Sequence, residues 1–313
     1  MKIEKQKDFI TTLVSGNEIN TIKYILDTEK SGKTIYIQSG IHGGEITYWI
    51  INKLFLFLKE NLLNGKVIFV PCANPMSWMQ RSYHYTMGKF NMYNGVDWNR
   101  AFPGGNSLEG IVAEKLFNTA KEADFVFDLH TARDSKPFAI PSKEEYLSFC
   151  KTIGLEYNFL HIDSENIKYH GTINAQLDFA NVPNLTIECG SHDEYCEEKI
   201  NEVFDGIIRL LVEFGMVDKK FYKDSGVAVP KYFKKTKKIT AMDGGYVQFH
   251  KNINDKFVKG DLLYSLYNPN SFGEKSDYFA EFDGVAWKFS ITHIFMKGED
   301  VVEAIPDSEI KAI

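Results

Sequence analysis

The sequence has 313 residues, 44% hydrophobic and 25% charged, with a formal net charge of −6 and a pI near 5.8. That length supplies one full hydrophobic core and room for a second. The acidic balance argues against nucleic acid or a phospholipid surface as partner, and the basic run "KYFKKTKK" (231–238) reads as a solvated linker or strand edge.

The start, "MKIEKQKDFITTLV", lacks the apolar core of a signal peptide. The first clear strand signal is "TIYIQSG" (34–40), followed by "ITYWIINKLFLFLKENL" (46–62), which has helical length and contains Asn52 and Lys53, so it does not read as a membrane span. "GKVIFVPCANP" (65–75) is strand then turn, punctuated by proline. "SLEGIVAEKLFNTAKEA" (107–123) predicts a helix with Ser107 as N-cap. "DFVFDLHTA" (124–132) and "NLTIECGS" (184–191) predict strands, and "YCEEKINEVFDGIIRLLVEFGMV" (195–217) an amphipathic helix stopped near Gly215. Strands alternating with helices predict an α/β fold with a largely parallel sheet flanked by helices.

From about residue 223 helical periodicity gives way to short β runs. "DGGYVQF" (243–249) recurs as "DGVAWKF" (283–289), and "FVKGDLLYSL" (257–266) as "FMKGEDVVEAI" (295–305). The two copies predict a small β-barrel or sandwich of related halves, giving domains at 1–222 and 223–313. The four cysteines show no disulfide framework and no CxxC, which fits a reducing, cytoplasmic setting.

Four segments carry chemistry. In "SGIHGGEITYWI" (39–50), His42 and Glu45 follow the first strand among glycines, a spacing suited to zinc; alone it reads equally well as a polar turn. In "VFDLHTA", Asp128 and His130 share one side of a buried strand, so the carboxylate could orient a metal-bound imidazole. Glu188 ends another buried strand, placing a carboxylate at the same sheet edge as a general base for a metal-activated water. In "GVDWNRAFPGG" (95–105), Arg100 beside Asn99 suits an anionic substrate end, and Arg81 in "NPMSWMQRSY" (74–83) could polarise a scissile carbonyl. Read without the other segments, Arg100 is a surface residue.

The ordered string HGxE, NP with Arg-x-Tyr, D-x-NR-x-FPG, DLHT and a strand ending Glu-Cys-Gly resembles the succinylglutamate desuccinylase and aspartoacylase family, across about residues 34–215. The resemblance implies a zinc amidohydrolase related in fold to metallocarboxypeptidases, with a small β domain after the catalytic one. It implies one Zn2+ on His42, Glu45 and His130, Glu188 as base, Asn99 and Arg100 on the substrate carboxylate, and Arg81 on the carbonyl oxygen. Gly44 stands where a small polar residue is usual, Trp98 where leucine is usual, and "HYTMGKFNMYNG" (84–95) is long and aromatic. These departures leave the acyl group and the amine open.

The expected activity is hydrolysis of a small N-acyl amino acid-like substrate. The alternatives are a metallocarboxypeptidase and an inactive small-molecule-binding relative. A homo-oligomer stays open, and Tyr246, Tyr264, Tyr267 and Tyr278 are candidates to reach the substrate from the β domain.

Overall fold

A computed structural model describes residues 1–82, 87–162 and 165–313. Tyr83 of the Arg-x-Tyr motif and residues 84–86 of the aromatic stretch lie outside the described residues.

The chain opens with a hairpin, β1 (Lys2–Thr12) and β2 (Glu18–Asp27), that the sequence reading leaves unassigned. The reason is physical. The burial of β1 alternates, but its inward positions before Ile10 are Glu4, Gln6 and Asp8, so the apolar alternation that marks a half-buried strand is absent from the sequence. Then come β3 (Thr34–Ser39), α1 (Tyr48–Asn61), β4 (Lys66–Val70), α2 (Pro75–Trp78) and α3 (Leu108–Ala120). The Ser107 hydroxyl caps α3, accepting from the Gly110 N–H at 3.1 Å, as expected. β5 (Phe125–Ala132), β6 (Asp134–Ser135), β7 (Phe138–Ile140), α4 (Leu147–Ile153), β8 (Tyr157–Phe159), α5 (Ile173–Phe179), β9 (Asn184–Ser191) and α6 (Glu197–Glu213) follow.

Seven strands form one sheet in the order β1-β2-β4-β3-β5-β9-β7. Its centre, β4-β3-β5-β9, is parallel and both edges are antiparallel, so the sheet is mixed with a parallel core, as expected. The period of two along each strand sorts side chains onto two cores. Ile35, Ile37, Phe127, Leu129, Leu185 and Ile187 face α1, α4 and α6. Tyr36 and Val126 face α3 and α5, and on that face Asp128, His130 and Glu188 also fall.

The remaining strands are β10 (Lys231–Phe233), β11 (Lys237–Thr240), β12 (Gly245–Phe249), β13 (Lys256–Phe257), β14 (Leu262–Tyr267), β15 (Ser276–Phe279), β16 (Gly284–Phe289), β17 (Ile294–Phe295), β18 (Asp300–Pro306) and β19 (Lys311–Ala312). The sequence repeat has a structural counterpart. β12 pairs with β14 of its own copy and β16 with β18 of its own; each also pairs with the short strand of the other copy, β12 with β17 and β16 with β13. These strands lie in a five-stranded and a four-stranded sheet around one shared core.

Two joints tie this region to the seven-stranded sheet. β6 pairs with β16, Ser135 opposite Lys288, and Phe138, Tyr157, Phe233, Val285, Trp287 and Ile305 form a common cluster. The two ends of the basic run 231–238 are therefore strand: β10 sits between β8 and β19, and β11 edges the five-stranded sheet, with 234–236 linking them. β16 and β18 are thereby held beside the carboxyl ends of β5 and β9. Among the described residues no helix is long and apolar enough to cross a membrane.

Candidate active site

His42 and Glu45 occupy the turn between β3 and α1. That turn needs glycine: Gly40 and Gly44 have φ of +73° and +84°, in the left-handed region that side chains avoid. Gly44, which departs from the family string, is thus explained by the backbone. His130 and Glu188 are supplied by β5 and β9, which hold them as direct partners in the parallel register.

The three expected ligands converge. His42 Nδ1 lies 2.9 Å from Glu45 Oε1, and His130 Nδ1 lies 2.7 Å from Glu45 Oε2. One donor atom from each falls within 4.8 Å of the others, and all three residues are buried. The opposite edge of each ring is also held. His42 Nε2 meets Asp97 Oδ1 at 2.9 Å and His130 Nε2 meets Asp128 Oδ2 at 2.8 Å. Both imidazoles therefore present Nδ1 to the same small volume, with a carboxylate fixing each ring from behind.

The network extends further into the sheet. Gln38 Nε2 donates to Asp128 Oδ1 at 2.8 Å, and the buried Tyr36 hydroxyl donates to Gln38 Oε1 at 3.0 Å. Asp97 Oδ1 also accepts from the Asn99 N–H at 2.9 Å, coupling the His42 ring to the Asn99-Arg100 loop. Two imidazoles and one carboxylate, with satisfied partners behind them, form a donor set that fits a divalent ion of borderline softness.

Charge follows geometry. Burial opposes ionisation of His130, but Asp128 and Glu45 outweigh it and hold the imidazole well above its usual range. The same contest, with Glu45 and Asp97, raises His42. Burial likewise pushes Glu45 up, but the two imidazoles win and hold it well below the usual carboxylate range. Glu188 behaves oppositely. Burial raises its pKa, and Glu45 adds to the rise against the pull of His130, Lys288 and Lys89. One of its carboxylate oxygens is buried without a hydrogen-bond partner, a costly state unless a ligand or water meets it.

His42, Glu45, Asp97, His130 and Glu188 open onto a cleft of about 1020 Å³, walled on one side by the sheet edge and on the other by β16, β18 and the segment between them. Asn99 and Arg100 line it. Asn99 Oδ1 accepts from the Ile173 N–H at 3.1 Å, which leaves its amide NH2 for a ligand. Arg100 donates to the Asn99 carbonyl at 2.7 Å, and its guanidinium lies 5.1 Å from the centre of the Tyr169 ring. Arg81 is not in this lining. It is exposed, and its charge is felt by Asp193.

Lys288 and the exposed Lys89 are the lining cations whose charge acts on Glu188. Lys238 also lines the cleft, but Lys238 and Lys288 pair with Asp300 at 2.5 Å and Glu303 at 3.0 Å. Lys89 has no carboxylate partner among the described residues. The sequence reading passes over Lys89, Asp97 and His192. The signal for Asp97 is its place in the D-x-NR string; Lys89 and His192 carry none.

The C-terminal tyrosines do not reach the cleft. Tyr264 is buried in the second core, stacks on Tyr278 at 5.0 Å and donates to the Thr240 carbonyl, while Tyr246 and Tyr267 are exposed on the outer sheet. Trp98 is buried in the α3 core, where its bulk is packing.

Residues 31–214, more than half of the chain, match the succinylglutamate desuccinylase/aspartoacylase catalytic domain family. No curated protein matches significantly. Several solved structures share the fold. A Shewanella frigidimarina protein described as a candidate succinylglutamate desuccinylase/aspartoacylase is 20% identical with a TM-score of 0.88, covering 99% of this chain and 98% of its own. A succinylglutamate desuccinylase/aspartoacylase from Rhodobacter sphaeroides is 18% identical with a TM-score of 0.79, covering 99% and 95%. The product-bound ectoine utilization protein EutE from Ruegeria pomeroyi is 15% identical with a TM-score of 0.79, covering 96% and 94%. At such identities the likeness to these structures is one of fold.

Proposed function

Because the chain belongs to the succinylglutamate desuccinylase/aspartoacylase family, we propose that it is a zinc-dependent amidohydrolase that removes an acyl group from an N-acyl amino acid. The observation that carries this reading is the convergence of His42 and His130 Nδ1 on the Glu45 carboxylate, with Glu188 in register beside His130. His42, Glu45 and His130 would hold one zinc ion per chain. Zinc, when bound, supplies Lewis-acid polarisation of water and of the substrate carbonyl.

The chain's own residues supply the remainder. Glu188, its pKa raised by burial, takes a proton from the attacking water and returns it to the leaving amine. Lys89 offers positive charge to the oxygen that becomes anionic, the role that the family string suggests for Arg81. Asn99 NH2 and the Arg100 guanidinium hold the amino-acid carboxylate, Arg100 being steadied by the Asn99 carbonyl and the Tyr169 ring. Asp97 and Asp128 fix the two imidazoles.

We read 1–222 as the catalytic, metallocarboxypeptidase-like unit and 223–313 as a second unit whose β16–β18 wall narrows the cleft and disfavours long peptides. The four cysteines are free thiols, which supports a cytoplasmic setting. The test is a screen of N-acyl amino acids and C-terminal peptides against zinc-loaded protein, with released amine measured. Release from peptides but from no acyl amino acid would replace this reading with a carboxypeptidase.

A further inference from the structure

A second cavity of about 590 Å³ adjoins the cleft and shares Glu45, Lys89, His192 and Ile291 with it. Its character is different. Its walls are Met87, Phe90, Met92 and Ile291 with the backbone of Gly43, Gly44 and Gly88, and its acid is Asp193. The four apolar side chains are 47%, 51%, 62% and 60% exposed. Leaving them in water at a concave site is unfavourable, and a ligand that covers them recovers that free energy.

The cavity wall is anchored. The Gly43 N–H donates to the Gly88 carbonyl at 3.1 Å, and a Cβ on Gly88 would lie 2.3 Å from the Ser77 carbonyl oxygen, so glycine permits this close approach. The Trp98 N–H donates to the Lys89 carbonyl, and the Asn91 N–H to that of Val96. Asn91 and Asn94 both donate side-chain amides to Glu109 of α3. Phe90 and Met92 are therefore presented from a pinned turn.

The geometry points to an acyl-chain site. We propose that this cavity receives the acyl group of the substrate and selects an apolar chain longer than acetyl. The inference rests on the proposed N-acyl amino acid hydrolysis. With the carboxylate at Asn99 and Arg100 and the reacting carbonyl near Glu45 and Lys89, the acyl group must leave the metal site away from Arg100. The cavity that shares Glu45 and Lys89 lies there. Succinyl is disfavoured, because its carboxylate would lose water among Met87, Phe90, Met92 and Ile291 and meet Asp193, while Lys89, the cation of the lining, is engaged at the reacting carbonyl.

The experiment measures kcat/KM for N-acetyl, N-hexanoyl and N-succinyl forms of each of the twenty common amino acids, using zinc-loaded full chain. For any amino acid released, hexanoyl should exceed acetyl by about 10- to 100-fold, and succinyl should not exceed acetyl. Acetyl or succinyl equal to or above hexanoyl overturns the acyl-site proposal and leaves the hydrolase reading standing. Release from no member of the panel overturns both. Phe90→Asp should bring the hexanoyl-to-acetyl ratio toward one with zinc content unchanged. A flat acyl series, with sedimentation shifting from oligomer to monomer in Phe90→Asp, would assign the patch to a second copy of the chain and overturn the proposal.

Discussion

Glu188 stands directly opposite His130 across the parallel pair β5 and β9, with one carboxylate oxygen buried and unpartnered. A side chain on one strand cannot drift from its partner on the next, because the backbone ladder fixes both. If Glu188 is the base, Glu188→Gln removes the proton acceptor and keeps the shape. It should retain metal and lose about 10²- to 10⁴-fold in kcat. Near-normal turnover, measured by amine release, would mean that another group takes the proton.

Asp97 holds the His42 ring from behind and ties it to the Asn99-Arg100 loop. Asp97→Asn should weaken metal affinity by about 10- to 100-fold while leaving the circular-dichroism spectrum unchanged. Competition against a fluorescent chelator reads this directly. An unchanged affinity would show that His42 is held well enough by Glu45 alone.

Lys89 and Arg81 divide on position. If Lys89 stabilises the developing oxyanion, Lys89→Met should cost about 10²- to 10³-fold in kcat. Arg81→Met, at an exposed site outside the cleft, should change kcat by less than about threefold. The reverse order of effects would return the role to Arg81.

Arg100 tests the amine side. The planar fork of arginine grips a carboxylate in a way that lysine cannot. The side chain is 31% exposed, so the loss should sit near the low end of the usual range, about 2 kcal/mol in kcat/KM and mostly in KM. An acylated amine without the carboxylate should lose little. Equal losses on both substrates would remove the carboxylate from the reading.

The two imidazoles give a pH dependence whose sign is set by their environment. Both His42 and His130 are raised above the ordinary 6.5, so in the metal-free protein their protonated forms add stability that is fully present below that value. It is lost as pH rises through their folded values. Chelated protein should therefore melt at a falling temperature from about pH 6.5 upward, whereas zinc-loaded protein should hold its Tm over the same window, since the ion replaces the protons. Parallel melting curves for the two forms would show that the imidazoles are not the groups that gain.

The sequence by itself determined the mixed α/β order and the segments that carry the site residues. A polar side chain interrupts the apolar run at His130 and at Glu188 and follows one at His42, which leaves a local mark, although β9 runs on past Glu188 to Ser191 rather than ending there as expected. The repeat after residue 240 was legible for the same reason, since each copy carries its own turn residues. The tertiary structure alone decided the rest. Whether Arg81 or Lys89 faces the cleft depends on where the chain between β4 and Asp97 turns back, and that turn is set by Gly88 packing on Gly43 and by Asn91 and Asn94 reaching Glu109. The Asp97 contact joins segments 55 residues apart. The tyrosines of β12 and β14 look outward or into their own core because of pairings made across the repeat. The β1–β2 hairpin is held by the ladder of β2 to β4 and by a few scattered apolar contacts, Leu26 in one core and Ile10 in the other. Each of these is a long-range contact between segments whose local sequence is compatible with several placements, and only the packed chain selects one.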